Sequence, residues 1–112
     1  MGRIFLIIYN PHKGKEQELL SIVKSGYVLL IDGGYVTDRP PILMKAKNGN
    51  LLLIFEWKDS NSKEMAQADP AIQEQWKRVS KVSEFEKPDS LMEFSDVFPE
   101  FEAIPWNDYA KK

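Results

Sequence analysis

The chain has 112 residues, with 15 basic and 17 acidic side chains, a net charge of −2 at pH 7 and no cysteine. Its length predicts a single domain over residues 1–112, large enough to bury a core of its own. The absence of cysteine excludes disulfides and cysteine-ligated zinc, and the lack of a basic surplus argues against a nucleic-acid partner.

The first predicted element is a buried strand over Ile4–Tyr9, where every residue is apolar. This run is too short to cross a bilayer and lacks the small-residue cleavage site of a signal peptide. We therefore expect a cytoplasmic protein with no membrane partner.

A helix is predicted from Lys15, where the apolar residues begin to recur at steps of three and four. Gly33 and Gly34 are expected to end it, because glycine adopts the left-handed conformation of a helix C-terminus at little cost. The residues of the apolar stripe are Leu19, Leu20, Val23, Tyr27, Leu30 and Ile31.

Two strands joined by a tight turn come next, over Ile42–Lys47 and Leu51–Trp57. Asn48-Gly49 between them is a strong signal for a two-residue hairpin. Because proline cannot donate a ladder hydrogen bond, Pro40-Pro41 places the first of these strands at a sheet edge.

The capping residues at 59–62 begin a short helix through Ala66, and Asp69-Pro70 starts a second one. The apolar face of this second helix is predicted to run as far as Phe85, with Lys87-Pro88 ending it. Its members are Ile72, Trp76, Val79, Val82 and Phe85. Ser90 and Glu93 have the spacing of a capping box for a last short helix through Val97, and residues 101–106 are predicted to form a final strand.

The element order is therefore β-α-β-β-α-(α)-β, and it predicts an α+β fold of ferredoxin-like type. In that fold a four-stranded antiparallel sheet carries both main helices on one face. The first and third strands are central and the second is an edge strand.

The first and third strands are apolar on both faces, although only one face of the sheet can meet the helices. The other face would leave a patch on the order of several hundred Å² exposed, a size typical of interaction surfaces. A homodimer that stacks two sheets face to face would cover this patch. The alternative is that the C-terminal residues cover it within one chain.

Several segments of the chain resemble the dimeric α+β barrel superfamily, in particular its antibiotic-biosynthesis monooxygenase-like domains. They are residues 34–41, 47–50, 55–58 and 66–72 with Trp76, and the tail around Phe98 and 101–102. The resemblance implies a homodimer without cofactor. The superfamily includes cofactor-free oxygenases, haem-degrading enzymes, dye-type peroxidases and members without known activity. Gln67 stands where related sequences carry a histidine, and no helix histidine completes the haem-degrading pattern with Asn10 and Trp76.

Two residues are candidate catalytic groups. His12, the sole histidine, follows the first strand and can move a proton near neutral pH, although an exposed turn residue is the plainer interpretation. Glu56 would have a raised pKa and act as a base if it faced a desolvated interior. If it faced water, it would be an ordinary surface carboxylate.

Four further residues are candidate ligand-binding groups. Asn10 can donate to a ligand oxygen or form the turn before Pro11. Arg39 can bind a ligand carboxylate or form a surface pair with Asp38 or another acid. Trp57 ends the third strand. Trp76 lies on a helix face, where an aromatic ring is a core residue more often than a ligand platform.

With one histidine, no cysteine and no acidic cluster at ligand spacing, the sequence predicts no metal site. The main functional prediction is a small-ligand-binding dimer of unassigned activity, with an apolar or aromatic ligand. The alternative is a cofactor-independent monooxygenase-like enzyme acting on a small aromatic or polyketide-like substrate.

Overall fold

The computed structural model describes residues 2–106. Met1 and residues 107–112, at the two ends of the expected single domain, lie outside the described residues. The strands are β1 (Arg3–Pro11), β2 (Ile42–Lys45), β3 (Leu51–Trp57), β4 (Ser83–Glu86) and β5 (Glu102–Ile104). The helices are α1 (Glu16–Asp32), α2 (Ser60–Gln67) and α3 (Pro70–Val82), and two 3-10 turns span Pro88–Ser90 and Met92–Ser95.

The strands form one antiparallel sheet in the order β4-β1-β3-β2-β5. This confirms the predicted α+β, ferredoxin-like fold and the central positions of the first and third strands. The sheet has five strands where four were predicted, because both β4 and a separate tail strand join it.

The glycine signal that ends α1 and the aspartate signals that begin α2 and α3 act as predicted. Gly34 has φ +74°, its N–H donates to Ile31 and the N–H of Tyr35 donates to Leu30, which closes the C-terminus of α1. Asp59 caps α2 through the N–H of Ser62 at 2.7 Å, and Asp69 caps α3 through the N–H of Ala71 at 2.9 Å.

The predicted continuation of the third helix through Phe85 is wrong. The helix ends at Val82 and the chain becomes extended at Ser83. Residues 83–86 pair with the free edge of β1, where Phe85 lies opposite Tyr9. Unpaired backbone groups at that edge favour a strand over one further helical turn.

The predicted edge position of the second strand is also wrong, since β5 pairs with β2 and places Ile104 opposite Leu43. Pro40 and Pro41 precede β2 and therefore remove no ladder hydrogen bond.

The predicted two-residue hairpin and the predicted capping box at Ser90 and Glu93 are both wrong. The hairpin spans residues 46–50, with the N–H of Gly49 donating to Ala46 at 3.0 Å and Gly49 at φ +95°. Buried Glu93 accepts a hydrogen bond from the N–H of Lys47 at 2.8 Å. The backbone N–H of Lys47, and then that of Glu93 itself, lower the pKa of Glu93. The carboxylate thereby joins the C-terminal turns to the hairpin.

The two faces of the sheet are packed differently. Helices α1 and α3 cover one face and enclose the main core. On the opposite face, which we call the distal face, Leu91 packs on Ile8, Ala46 and Leu52. The C-terminal turns cover this end alone, so part of the distal face remains exposed.

Candidate functional site

A cavity of about 320 Å³ lies between the sheet and the helices. Its sheet wall consists of alternate residues of the two central strands, which point to the same side. They are Phe5, Ile7 and Tyr9 of β1 and Leu53, Phe55 and Trp57 of β3. The helix wall consists of Val23, Gly26, Tyr27 and Leu30 of α1 and Ile72, Gln75, Trp76 and Val79 of α3.

The volume sets the size of a ligand that fits. An engineered apolar cavity of about 150 Å³ accepts benzene. This cavity is about twice as large and has mainly aromatic and aliphatic walls. A two-ring aromatic body is therefore a suitable occupant.

Two hydrogen-bond donors in the wall are buried without a partner. The hydroxyl of Tyr27 and Nε1 of Trp57 have no hydrogen-bond partner among residues 2–106. Both residues are 3% exposed or less. An unpaired buried donor is costly in a native protein, and both of these donors belong to residues that line the cavity.

The cavity tyrosines act as neutral groups. Burial raises the pKa of Tyr9 and that of Tyr27. Both hydroxyls therefore keep their protons at neutral pH, which suits them to donate to a ligand oxygen and not to act as bases.

A buried glutamine ties the two cavity helices together. The Nε2 of Gln75 donates to the backbone oxygen of Ile22. A Cβ at Gly26 would lie 2.6 Å from this Nε2, so a larger residue there would displace the Gln75 side chain. Gln67, which replaces the histidine of related sequences, also lines the cavity and is exposed.

Of the residues predicted to bind ligand, Trp57 and Trp76 line the cavity. Trp57 is buried in the sheet wall. Trp76 is 40% exposed, and with Phe85 at 57% it lies at the mouth.

Glu56 and Arg39 lie apart from the cavity. The side chain of Glu56 points to the distal face, opposite Ile4, and accepts hydrogen bonds from Arg39 Nε at 2.8 Å and Thr37 at 2.9 Å. Arg39 and then Thr37 hold the pKa of Glu56 below its ordinary value, opposite to the shift expected for an inward-facing base. Arg39 forms an ion pair with Glu56, which confirms the interpretation of a surface pair and makes Glu56, not Asp38, the acid in it.

Asn10 and His12 lie at the far end of β1 and do not line the cavity. Asn10 donates weakly to Glu86 at 3.4 Å, and His12 Nε2 lies 3.3 Å from a carboxylate oxygen of Glu84. These four side chains form a small exposed polar group beside β4.

Within residues 2–106, no group of three or more His, Cys, Asp or Glu side chains is placed to hold a metal ion. In the same part of the chain, none of the helices has the length and apolar character needed to cross a membrane.

Sequence reasoning did not single out Tyr27 and Gln75 as site residues. Tyr27 belongs to the apolar stripe of α1, and its unpaired hydroxyl becomes visible only when the packing is known. Gln75 carried a usable signal, since it lies three residues after Ile72 on the buried face of α3.

The fold is that of a ferredoxin-like α+β domain with a ligand-sized cavity between sheet and helices. Among solved structures, the chain is similar to a mutant form of SnoaB, a cofactor-independent oxygenase from Streptomyces nogalater. The TM-score is 0.63 at 14% sequence identity, over 74% of this chain and 85% of SnoaB. At this identity the likeness shows the fold alone. No protein-family model and no curated sequence matches the chain.

Proposed function

We propose that the protein binds a small aromatic ligand in the cavity between the sheet and the helices. The observation that carries this proposal is an open apolar cavity whose wall contains two buried, unpaired donors. Apolar pockets with few placed polar groups are typical of small-molecule sites. Both donors are shielded from the cavity space, so a ligand oxygen would satisfy one of them after its side chain turned toward the ligand.

A cavity-filling variant tests the proposal. Val23→Phe places a ring in the cavity from α1, so the affinity for an uncharged two-ring probe such as naphthamide is expected to fall at least about tenfold. Val28→Phe is the matched control, because Val28 is on the same helix but 43% exposed and outside the cavity.

The measurement is calorimetric titration, with thermal unfolding as a check that each variant folds and that the probe stabilises the native state. Equal affinity in both variants, or no binding to the unchanged protein, would contradict the proposal.

A second candidate is a cofactor-independent oxygenase acting on a small aromatic or polyketide-like substrate. It is supported by the likeness to SnoaB together with the apolar cavity. The hydroxyl of Tyr27 and the N–H of Trp57 would stabilise negative charge developing on a substrate oxygen. Among residues 2–106, none that lines the cavity has a carboxylate, imidazole or amine, so substrate deprotonation would depend on the acidity of the substrate itself.

Oxygen uptake separates the two candidates. A hydroxyaromatic compound that binds in the cavity and consumes oxygen with the pure protein would support the oxygenase. Tight binding of such compounds without uptake would reject it and leave the binding function standing.

We further propose that the protein works as a homodimer joined through the distal face. Ile4 is 58% exposed, Leu6 39% and Ile42 56%, and half-buried Ile54 lies between the last two in the sheet register. We call these four residues the distal patch. A second copy would remove the patch from water.

A further inference from the structure

A second hollow of about 230 Å³ adjoins the cavity where β1 begins. Phe5 and Trp57 line both spaces, with ring centroids 5.6 Å apart in an edge-to-face arrangement. The two spaces therefore share this aromatic pair as a wall. We call the second one the basic cleft, after Arg3 and Lys63 in its lining.

Arg3 continues the row of residues that forms the sheet wall of the cavity. Phe5, Ile7 and Tyr9 line the cavity. Arg3 lies two residues before Phe5 on the same strand and is paired in register with Trp57. Side chains at alternate positions share a face, so the apolar row ends in a guanidinium. The side chain of Arg3 is exposed, and its guanidinium makes no ion pair or hydrogen bond with other described residues.

Lys63 supplies the second cation from α2. Its Nζ lies 5.0 Å from the centroid of the Phe5 ring, on the shared wall. No carboxylate within residues 2–106 forms an ion pair with it. Glu64 also lines the cleft, so the three ionised groups sum to a single positive charge.

We propose that the ligand is an aromatic carboxylate, with its rings in the cavity and its carboxylate at Arg3 and Lys63. This inference rests on the proposed function of the cavity and names the chemical class of its ligand. A planar guanidinium matches a carboxylate with two parallel hydrogen bonds, and one negative charge balances the cleft. Trp57 Nε1 is buried in the shared wall and has no hydrogen-bond partner among residues 2–106.

Two probes of equal size test the inference: naphthoate, which carries the charge, and naphthamide, which does not. Exposed ion pairs contribute up to about 1 kcal/mol, so the protein should prefer naphthoate about fivefold at low salt. Arg3→Gln/Lys63→Gln should remove this preference, because it should weaken the binding of naphthoate more than that of naphthamide. The matched control is Lys77→Gln, an exposed cation on α3 outside both hollows.

Glu64→Gln provides a change of opposite sign, because removing its negative charge should strengthen naphthoate binding. Added salt should reduce the preference for naphthoate through screening. Equal affinity for both probes, or a preference that survives in the double variant, would overturn the inference while the cavity remains a binding site. If neither probe binds the unchanged protein, the proposed function itself fails.

Discussion

At the scale of single residues, the buried hydroxyl of Tyr27 and the indole N–H of Trp57 distinguish this cavity from an ordinary core. Folded proteins pair nearly all buried polar atoms. Leaving one unpaired costs about 1–3 kcal/mol. Both donors belong to residues that line the same cavity. The free-energy cost of leaving them unpaired is therefore confined to the surroundings of this cavity.

This cost leads to a prediction for Tyr27→Phe. Removing a hydroxyl that bonds nothing should leave the free energy of unfolding unchanged or raise it by up to about 1 kcal/mol in the ligand-free protein. The measurement is urea unfolding at fixed protein concentration.

Tyr35→Phe is the control for this prediction, because the Tyr35 hydroxyl donates to Asp69 at 2.7 Å and its removal should destabilise the protein. If Tyr27→Phe destabilised the protein as much as Tyr35→Phe, the Tyr27 hydroxyl would have a native partner and would lose its proposed role.

Glu56 shows why site residues are hard to predict from the sequence. Leu52 and Ile54, which share its face of the strand, suggested a desolvated carboxylate. Its partners Thr37 and Arg39 lie 17–19 residues away along the chain. Contacts of that kind depend on tertiary packing. By contrast, Trp57 could be placed beside a pocket because its strand and face followed from the apolar pattern.

At the scale of elements, the C-terminal turns stabilise the fold by covering one end of the distal face. Leu91 is 2% exposed and packs on Ile8, Ala46 and Leu52. Leu91→Ala should therefore reduce the free energy of unfolding by roughly 2–5 kcal/mol, as the transfer and cavity terms for a buried leucine add.

Met92→Ala is the matched control, since the neighbouring Met92 is 85% exposed. It should change the stability by less than about 0.5 kcal/mol in the same unfolding experiment. A small effect at Leu91 would show that the turns are not an integral part of the domain.

Elements with a strong local sequence signal could be predicted. Elements whose conformation depends on pairing with a distant part of the chain could not. Helix α1 has both a regular apolar stripe and a glycine terminator, so its bounds were foreseeable. Phe85 continues the helical spacing of Val79 and Val82, yet residues 83–86 form β4. The free edge of β1 decides this conformation, and that edge is more than 70 residues away in the chain.

At the scale of the whole molecule, the two faces of the sheet serve different purposes. The helix-covered face holds the cavity, and the distal face is covered at one end by the C-terminal turns. The alternative to the dimer, in which C-terminal residues cover the distal face within one chain, therefore applies to one end of that face. The distal patch of Ile4, Leu6, Ile42 and Ile54 lies beyond them.

The proposed dimer predicts that a charge in the distal patch separates the two copies. Sedimentation equilibrium of the unchanged protein at micromolar concentration should give twice the mass of the chain. Leu6→Lys should give the mass of one chain, because a dimer would bury two unpaired ammonium groups in an apolar interface. Leu6 is 39% exposed in the single chain, so the variant is expected to fold.

Val28→Lys is the matched control. Val28 is 43% exposed on α1, away from the sheet, so this variant should remain dimeric. A monomeric unchanged protein would contradict the dimer. A Leu6→Lys protein that stayed dimeric would move the interface to another surface.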